Sequence, residues 1–232
     1  MAVAALSVIS CGSGEAEEVS AITYHPGDIV PEEYIAENGT DSFFRVQSIP
    51  DTIFAFMQGR TYKENCTVPR EELRYLTCLH KDLSGQSIIG EMVLNKAIAD
   101  DVLDIFRQLY EKSYPIERMR LPDYWDADDS RQMRDNNSSS FNFRVIAGTG
   151  KVSRHGLGMA VDINPLYNPY YRIISVREEV KPAEGREYVD RSKDFPYKIE
   201  KGDICYDLFI SKGFSWGGTW RFSKDYQHFE KR

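Results

Sequence analysis

Apolar positions recur along the chain in more than one rhythm. Ile98, Val102, Ile105, Phe106 and Leu109 fall at i, i+4, i+7, i+8 and i+11, the spacing of a helix that buries one stripe. ELRYLTCLH and SIIGEMVLN have strand composition, and the KDLSG between them supplies turn chemistry, so together they predict a β-hairpin. SIPDTIFAFMQGR predicts a short helix, with Ser48 or Asp51 near its N-cap, Pro50 in the first turn and Gly59 as its stop. PIERMRL predicts another strand. IEKGDICYDLFISKGF predicts a second helix, with Ile204, Leu208 and Phe209 turned inward and Gly213 at the C-terminal cap.

Between these lie stretches without a period. DADDSRQMRDNNSSSFNFR is polar and reads as a loop, flexible around Asn136 and Asn137. Residues 165–198 are rich in Pro and Tyr and read as a long excursion. Strands, then a helix, then strands again, without regular βαβ alternation, predict an α+β fold: a mainly antiparallel sheet with helices packed on it.

Composition adds an asymmetry. The net charge of −7 is carried by the leader, which has no Lys or Arg before Arg45 but holds Glu15, Glu17, Glu18, Asp28, Glu32, Glu33, Glu37 and Asp41. The rest of the chain is close to neutral, which excludes the basic footprint of a nucleic-acid binder. Residues 12–40 read as an acidic flexible linker, with structure expected to begin near Phe43. Ahead of it, Ala2–Ile9 is apolar but too short to span a bilayer. Small residues lead from it into Cys11, so residues 1–11 resemble a bacterial lipoprotein signal, lipidated at Cys11. The sequence has no basic residue before that run. Cys66 and Cys78 are either a disulfide or two buried thiols; no CxxC pair proposes a cysteine-built metal site.

Candidate chemistry lies in two of the four histidines. His25 and His80 have no donor neighbour at metal spacing. In SRHGLGMAVDINP, however, Gly156 and Gly158 place His155 on a turn, and the strand that follows, Met159–Ile163, points Asp162 to the same face as Ala160 and Asn164. In DYQHFE, Asp225 and His228 are side by side on a helical turn, or on opposite faces of a strand unless the segment bends. Two imidazoles and a carboxylate are an ordinary open donor set for Zn²⁺. A free carboxylate beside them, here Asp225, suits proton transfer, and an arginine would hold a substrate carboxylate or an oxyanion. Trp216 and Trp220 flank two glycines and read first as a core-packed turn; one of them could instead line a cleft wall.

SRHGLGMAVD resembles the SxHxxGxAxD motif of the M15 metallopeptidases, the group of D-alanyl-D-alanine carboxypeptidases, dipeptidases and L-alanyl-D-glutamate endopeptidases. SWGGTW followed by DYQHFE resembles that group's closing WGG turn and (D/E)xxH segment. The likeness runs from about Leu121 to Glu230, within a domain expected over residues 41–232. Residues 41–120 resemble the group's accessory N-terminal half. The likeness implies the zinc site of the Hedgehog and DD-peptidase folds, with His155, Asp162 and His228 on the metal, Asp225 as acid/base and Ser153 on the substrate side; Trp220 is the candidate for the cleft wall. The group's arginine stands in a GYRS-like context; here FNFR offers Arg144, with Arg131 as the alternative. The implied activity is zinc-dependent hydrolysis of peptidoglycan stem peptides by a monomer in the bacterial cell envelope, periplasmic or anchored to the outer membrane through Cys11. A zinc-containing module that binds cell-wall peptide without cutting it is the alternative.

Overall fold

The computed structural model of the chain describes residues 23–146 and 148–232; the expected signal segment 1–11 with Cys11, and the linker as far as residue 22, lie outside these. From residue 23 the expected linker is packed. It carries α1 (Glu32–Asn38), buries Val30 and Ile35, and bridges Ile29 to Ile88. Three of its acids, Glu32, Glu33 and Glu37, lie on the exposed side of this helix.

Short elements β1 (Arg45–Gln47) and α2 (Asp51–Met57) follow. The N-cap of α2 is Pro50, without a side-chain cap, instead of Ser48 or Asp51. The hairpin is as expected: β2 (Leu73–Lys81) pairs antiparallel with β3 (Ser87–Asn95), from Leu73 opposite Asn95 to Lys81 opposite Ser87, and β1 joins the free edge of β2. Strand passes into helix at Asn95, whose side chain accepts the Ala97 N–H at 3.0 Å and caps α3 (Lys96–Glu111). The stripe Ile98, Val102, Ile105, Phe106 and Leu109 is buried as its spacing predicts, joined by Ala99 and Tyr110.

PIERMRL yields only a two-residue strand, β4 (Arg118–Met119), which pairs in parallel with β5 (Asn137–Ser138). The polar stretch between them is ordered. Asp128 caps α4 (Asp129–Arg134) through two amides, and residues 136–140 are all buried. Asn137 explains why a polar run is inside: its Oδ1 accepts the Arg120 N–H at 2.8 Å, and its Nδ2 donates to the Arg120 carbonyl at 2.9 Å, as a neighbouring strand would. Asn136 likewise reaches Glu117 and the Leu166 amide.

In the C-terminal half, β6 (Ala160–Asp162) is followed by a hairpin inside the expected excursion, β7 (Tyr170–Ile174) and β8 (Arg177–Lys181). α5 (Ile204–Ser211) starts on an Asp203 cap. Its inward stripe is Cys205, Leu208 and Phe209; Ile204 is 38 % exposed, contrary to expectation, because Cys205 takes the inward place at the first turn. Gly213, one residue past the helix cap, has φ 82°. Three short strands close the chain: β9 (Ser215–Trp216), β10 (Lys224–Asp225) and β11 (His228–Glu230). They build two antiparallel sheets, β6–β11–β9 and β10–β7–β8.

One hydrophobic core joins the halves. It runs from α3 and the hairpin to Val161 of β6, Phe209 of α5 and Phe229 of β11, with the last two rings stacked at 4.2 Å. Cys66, Cys78 and Cys205 are free thiols. No helix among the described residues is long and apolar enough to cross a membrane.

His80 sits in this core, 3 % exposed, its Nδ1 2.7 Å from the Ile116 carbonyl. Burial lowers its pKa to about 4, against the smaller pulls of Ile116 and Asp82. The unfolded chain therefore binds a proton near pH 6.5 that the folded chain refuses until about pH 4. Stability is lost as pH falls through that window, by on the order of 3 kcal/mol from this group. Urea unfolding of His80→Gln should show a shallower loss than wild type between pH 6.5 and 4; parallel curves would contradict the assignment.

Candidate metal centre

His155, Asp162 and His228 are brought together by three local devices. His155 begins a single 3₁₀ turn, His155–Leu157, shaped by the Ser153 hydroxyl, which accepts the Gly156 N–H at 2.9 Å. The turn is docked on the junction of β3 and α3: Asn95 N–H donates to the Gly158 carbonyl at 2.8 Å. Gly158 has φ 68°, and a Cβ there would lie 2.6 Å from the Asn95 nitrogen, so no other residue fits without moving that junction. Asp162 then ends β6, and antiparallel pairing with β11 sets it directly opposite His228. Its own backbone is held from the other side by Ser139, which exchanges hydrogen bonds of 2.8 and 3.0 Å with it.

The resulting triangle is tight. His155 Nε2 is 3.1 Å from His228 Nδ1 and 3.2 Å from Asp162 Oδ1, and His228 Nδ1 is 3.0 Å from Asp162 Oδ1. Tetrahedral ligands at Zn–donor distances of 2.0–2.1 Å lie about 3.3 Å from one another. Side-chain spacing therefore matches a single small cation.

Outer partners fix which nitrogens face inward. His155 Nδ1 is 2.8 Å from the Ser140 carbonyl, and His228 Nε2 is 3.3 Å from a Glu230 carboxylate oxygen. Both outer groups only accept, so each ring presents its other nitrogen's lone pair toward Asp162. Three electron-donor atoms thus converge, an arrangement that demands positive charge, supplied by a proton on a ring or by a metal ion. Burial opposes a charge on His228, but hydrogen bonds to Asp162 and Glu230 outweigh it and raise the imidazole to about 10. Burial would raise Asp162, yet His155 and His228 hold its carboxyl well below the usual carboxylate range. A divalent cation answers the same demand, and the donor set fits one.

Asp225 stands beside the triangle because the terminal segment bends: β10 ends at Asp225, β11 begins at His228, and the two strands belong to different sheets. The alternative of a helical turn is not what forms. Gly217 packs on Asp225 so closely that a Cβ would lie 2.7 Å from the Asp225 Cβ, which is the structural use of the glycine after Trp216. Asp225 Oδ1 and Gln227 Oε1 are buried without a hydrogen-bond partner among the described residues. Burial pushes the Asp225 carboxyl up to about 7, against the pull of His228 and with the push of Asp162.

These residues line a cleft of about 640 Å³. Of the two candidate arginines, Arg144 lines it, held by Asp129 at 2.9 Å; Arg131 pairs with Asp126 on the surface. The tryptophans divide their tasks. Trp216 is in the core, its indole N–H donating to the Tyr226 carbonyl, whereas Trp220 forms cleft wall with its ring 5.4 Å from that of His228. Ser153 borders the cleft while its hydroxyl serves the turn.

Sequence reasoning missed Glu230, Ser140 and Asp129. Glu230 had a signal, since a residue two beyond a strand ligand shares its face. Glu230→Gln keeps an acceptor but removes the charge, and should weaken Zn²⁺ binding about tenfold in a chelator competition. Affinity unchanged within about twofold would deny Glu230 that role.

Residues 147–231 match the family model described as D-alanyl-D-alanine carboxypeptidase, of peptidase family M15. No curated protein and no solved structure matches the chain. The matched segment contains His155, Asp162, Asp225 and His228 together with the turn and strands that gather them, and over that segment the chain is similar to the M15 peptidases.

Proposed function

We propose that the chain is a zinc peptidase that hydrolyses stem peptides of peptidoglycan, as a D,D-carboxypeptidase or L,D-endopeptidase. The observation that carries the reading is a three-donor site open to a cleft, with a carboxyl at its side that has one oxygen buried and unpaired. Three protein donors leave a coordination position free, which separates a catalytic from a structural site.

His155, Asp162 and His228 would hold the ion. When bound, Zn²⁺ supplies Lewis acidity toward a carbonyl and lowers the pKa of water toward about 7. Asp225 takes a proton from the attacking water as its oxygen bonds to the scissile carbonyl carbon. As the C–N bond breaks, the same carboxyl returns that proton to the leaving amine, so Asp225 ends the cycle as it began. Its enclosure keeps its pKa near the range where both transfers are efficient. The Arg144 guanidinium, held by Asp129, offers its free N–H groups to a substrate carboxylate or to the developing oxyanion. Trp220 shields one wall from water.

The buried, unpaired Oδ1 of Asp225 also speaks against a module that only binds, because leaving a carboxylate oxygen without a partner costs stability and brings a binder nothing. The test is digestion of purified muropeptides by the zinc-loaded chain. Asp225→Asn should retain about one zinc per chain and lose about 10²–10⁴-fold in kcat. Cleavage that survives in the variant would remove Asp225 from the chemistry, and zinc binding without cleavage by wild type would favour the binding module.

A further inference from the structure

The hairpin β7–β8 places a second cationic pole in the cleft. Cross-strand partners share a face of a sheet, and in β10–β7–β8 Asp225 lies opposite Tyr170, which lies opposite Lys181. Arg172, two residues along β7, is on the same face, opposite Glu179. Tyr170, Arg172, Lys181 and Asp225 all line the cleft. The opposite face carries Lys224, Tyr171 and Val180, none of which does.

Charge on the inner face is only half compensated. Glu179 pairs with the Nε of Arg172 and with Lys181 Nζ, at 2.9 Å for the lysine, so one carboxylate serves two cations. The two Nη groups of Arg172 have no hydrogen-bond partner among the described residues, and the Arg172 and Lys181 side chains are 42 % and 56 % exposed. A cation already paired through Nε is held in direction while its Nη groups stay free. Arg144 cannot account for this pole, since it is held by Asp129 of α4 and belongs to a different segment.

We infer that Arg172 and Lys181 bind a second carboxylate of the substrate, so that the cleft selects acidic peptides over their amidated forms. Lys181 lies two strands from Asp225, about 10 Å at strand spacing, which is the rise of about three extended residues. The recognised carboxylate therefore belongs to a residue two to three positions from the scissile bond. The choice of substrate rests on the peptidase reading; the presence of the pole does not.

Two synthetic stem-type peptides test it, identical except that one carries a free side-chain carboxylate three residues from the scissile bond and the other its amide. Wild type, zinc-loaded, should show about tenfold lower KM for the acidic peptide. In Arg172→Met/Lys181→Met that advantage should vanish, with the loss in KM; in Lys181→Glu the preference should reverse. Equal KM for both peptides with wild type, or a preference that persists in both variants, overturns the inference. Should wild type cleave neither peptide, the peptidase reading falls by itself. Fluorescence anisotropy with the same labelled peptides then decides this inference separately: tighter binding of the acidic form, lost in the double variant, supports it, and equal affinities overturn it.

Discussion

Asp162 opposite His228 in the pairing of β6 with β11 is the constraint on which the site depends. Side chains alternate along a strand, so a slip of one residue would send Asp162 and His228 to opposite faces and leave His155 facing an apolar side chain. Register is held where the faces differ most. Val161 and Phe229, also opposite one another, are fully buried in the shared core, so the same slip would put both into the cleft. The apolar pair between α5 and α3 thereby fixes the polar pair on the other face. Packing energy, at about 25 cal/mol per Å² of apolar area, helps hold the three donor atoms within 3.2 Å of one another.

Everything else near the site is a way of bringing further pieces to that strand pair. The turn with His155 is docked on the end of the N-terminal hairpin, so the half without the family motif supports the half that has it. Residues 138–140 run along the outer edge of β6: Ser139 pairs with Asp162, and Ser140 both backs His155 and donates its hydroxyl to the Ala160 carbonyl at 2.6 Å. The bend at residues 226–227 moves the chain from one sheet to the next and carries Asp225 to the side of the donors instead of among them. A site assembled from separate segments in this manner is rigid at the donors. It can still differ in specificity at the β7–β8 hairpin, which touches the cleft without holding the triangle.

What the sequence made legible was governed by local regularity. The β2–β3 hairpin and α3 followed from their periods, and His155, Asp162 and His228 from a motif whose glycines and strand spacing have direct physical meaning. The serine run did not follow, because its order comes from hydrogen bonds to Asp162 and Ala160, about twenty residues away, and leaves no hydrophobic period. Asn136 and Asn137 look like loop residues for the same reason that they are useful inside: their amides replace a backbone partner. Ile204 illustrates a smaller failure, where a stripe displaced by one residue puts Cys205 inward. Arg172 and Lys181 could not be found in advance, since a shared face across three strands is a matter of register. Arg144 was separated from Arg131 only by seeing which one reaches the cleft.

Whether the triangle of His155, Asp162 and His228 holds an ion decides what the cleft can do. Anomalous diffraction at the zinc edge, from crystals of the zinc-loaded chain, measures that directly. One peak equidistant from His155 Nε2, Asp162 Oδ1 and His228 Nδ1, at about 2.0–2.2 Å, is the predicted result. Density for the three side chains in the same places with the anomalous peak elsewhere, or with none, would contradict it and make the cluster a buried ion pair.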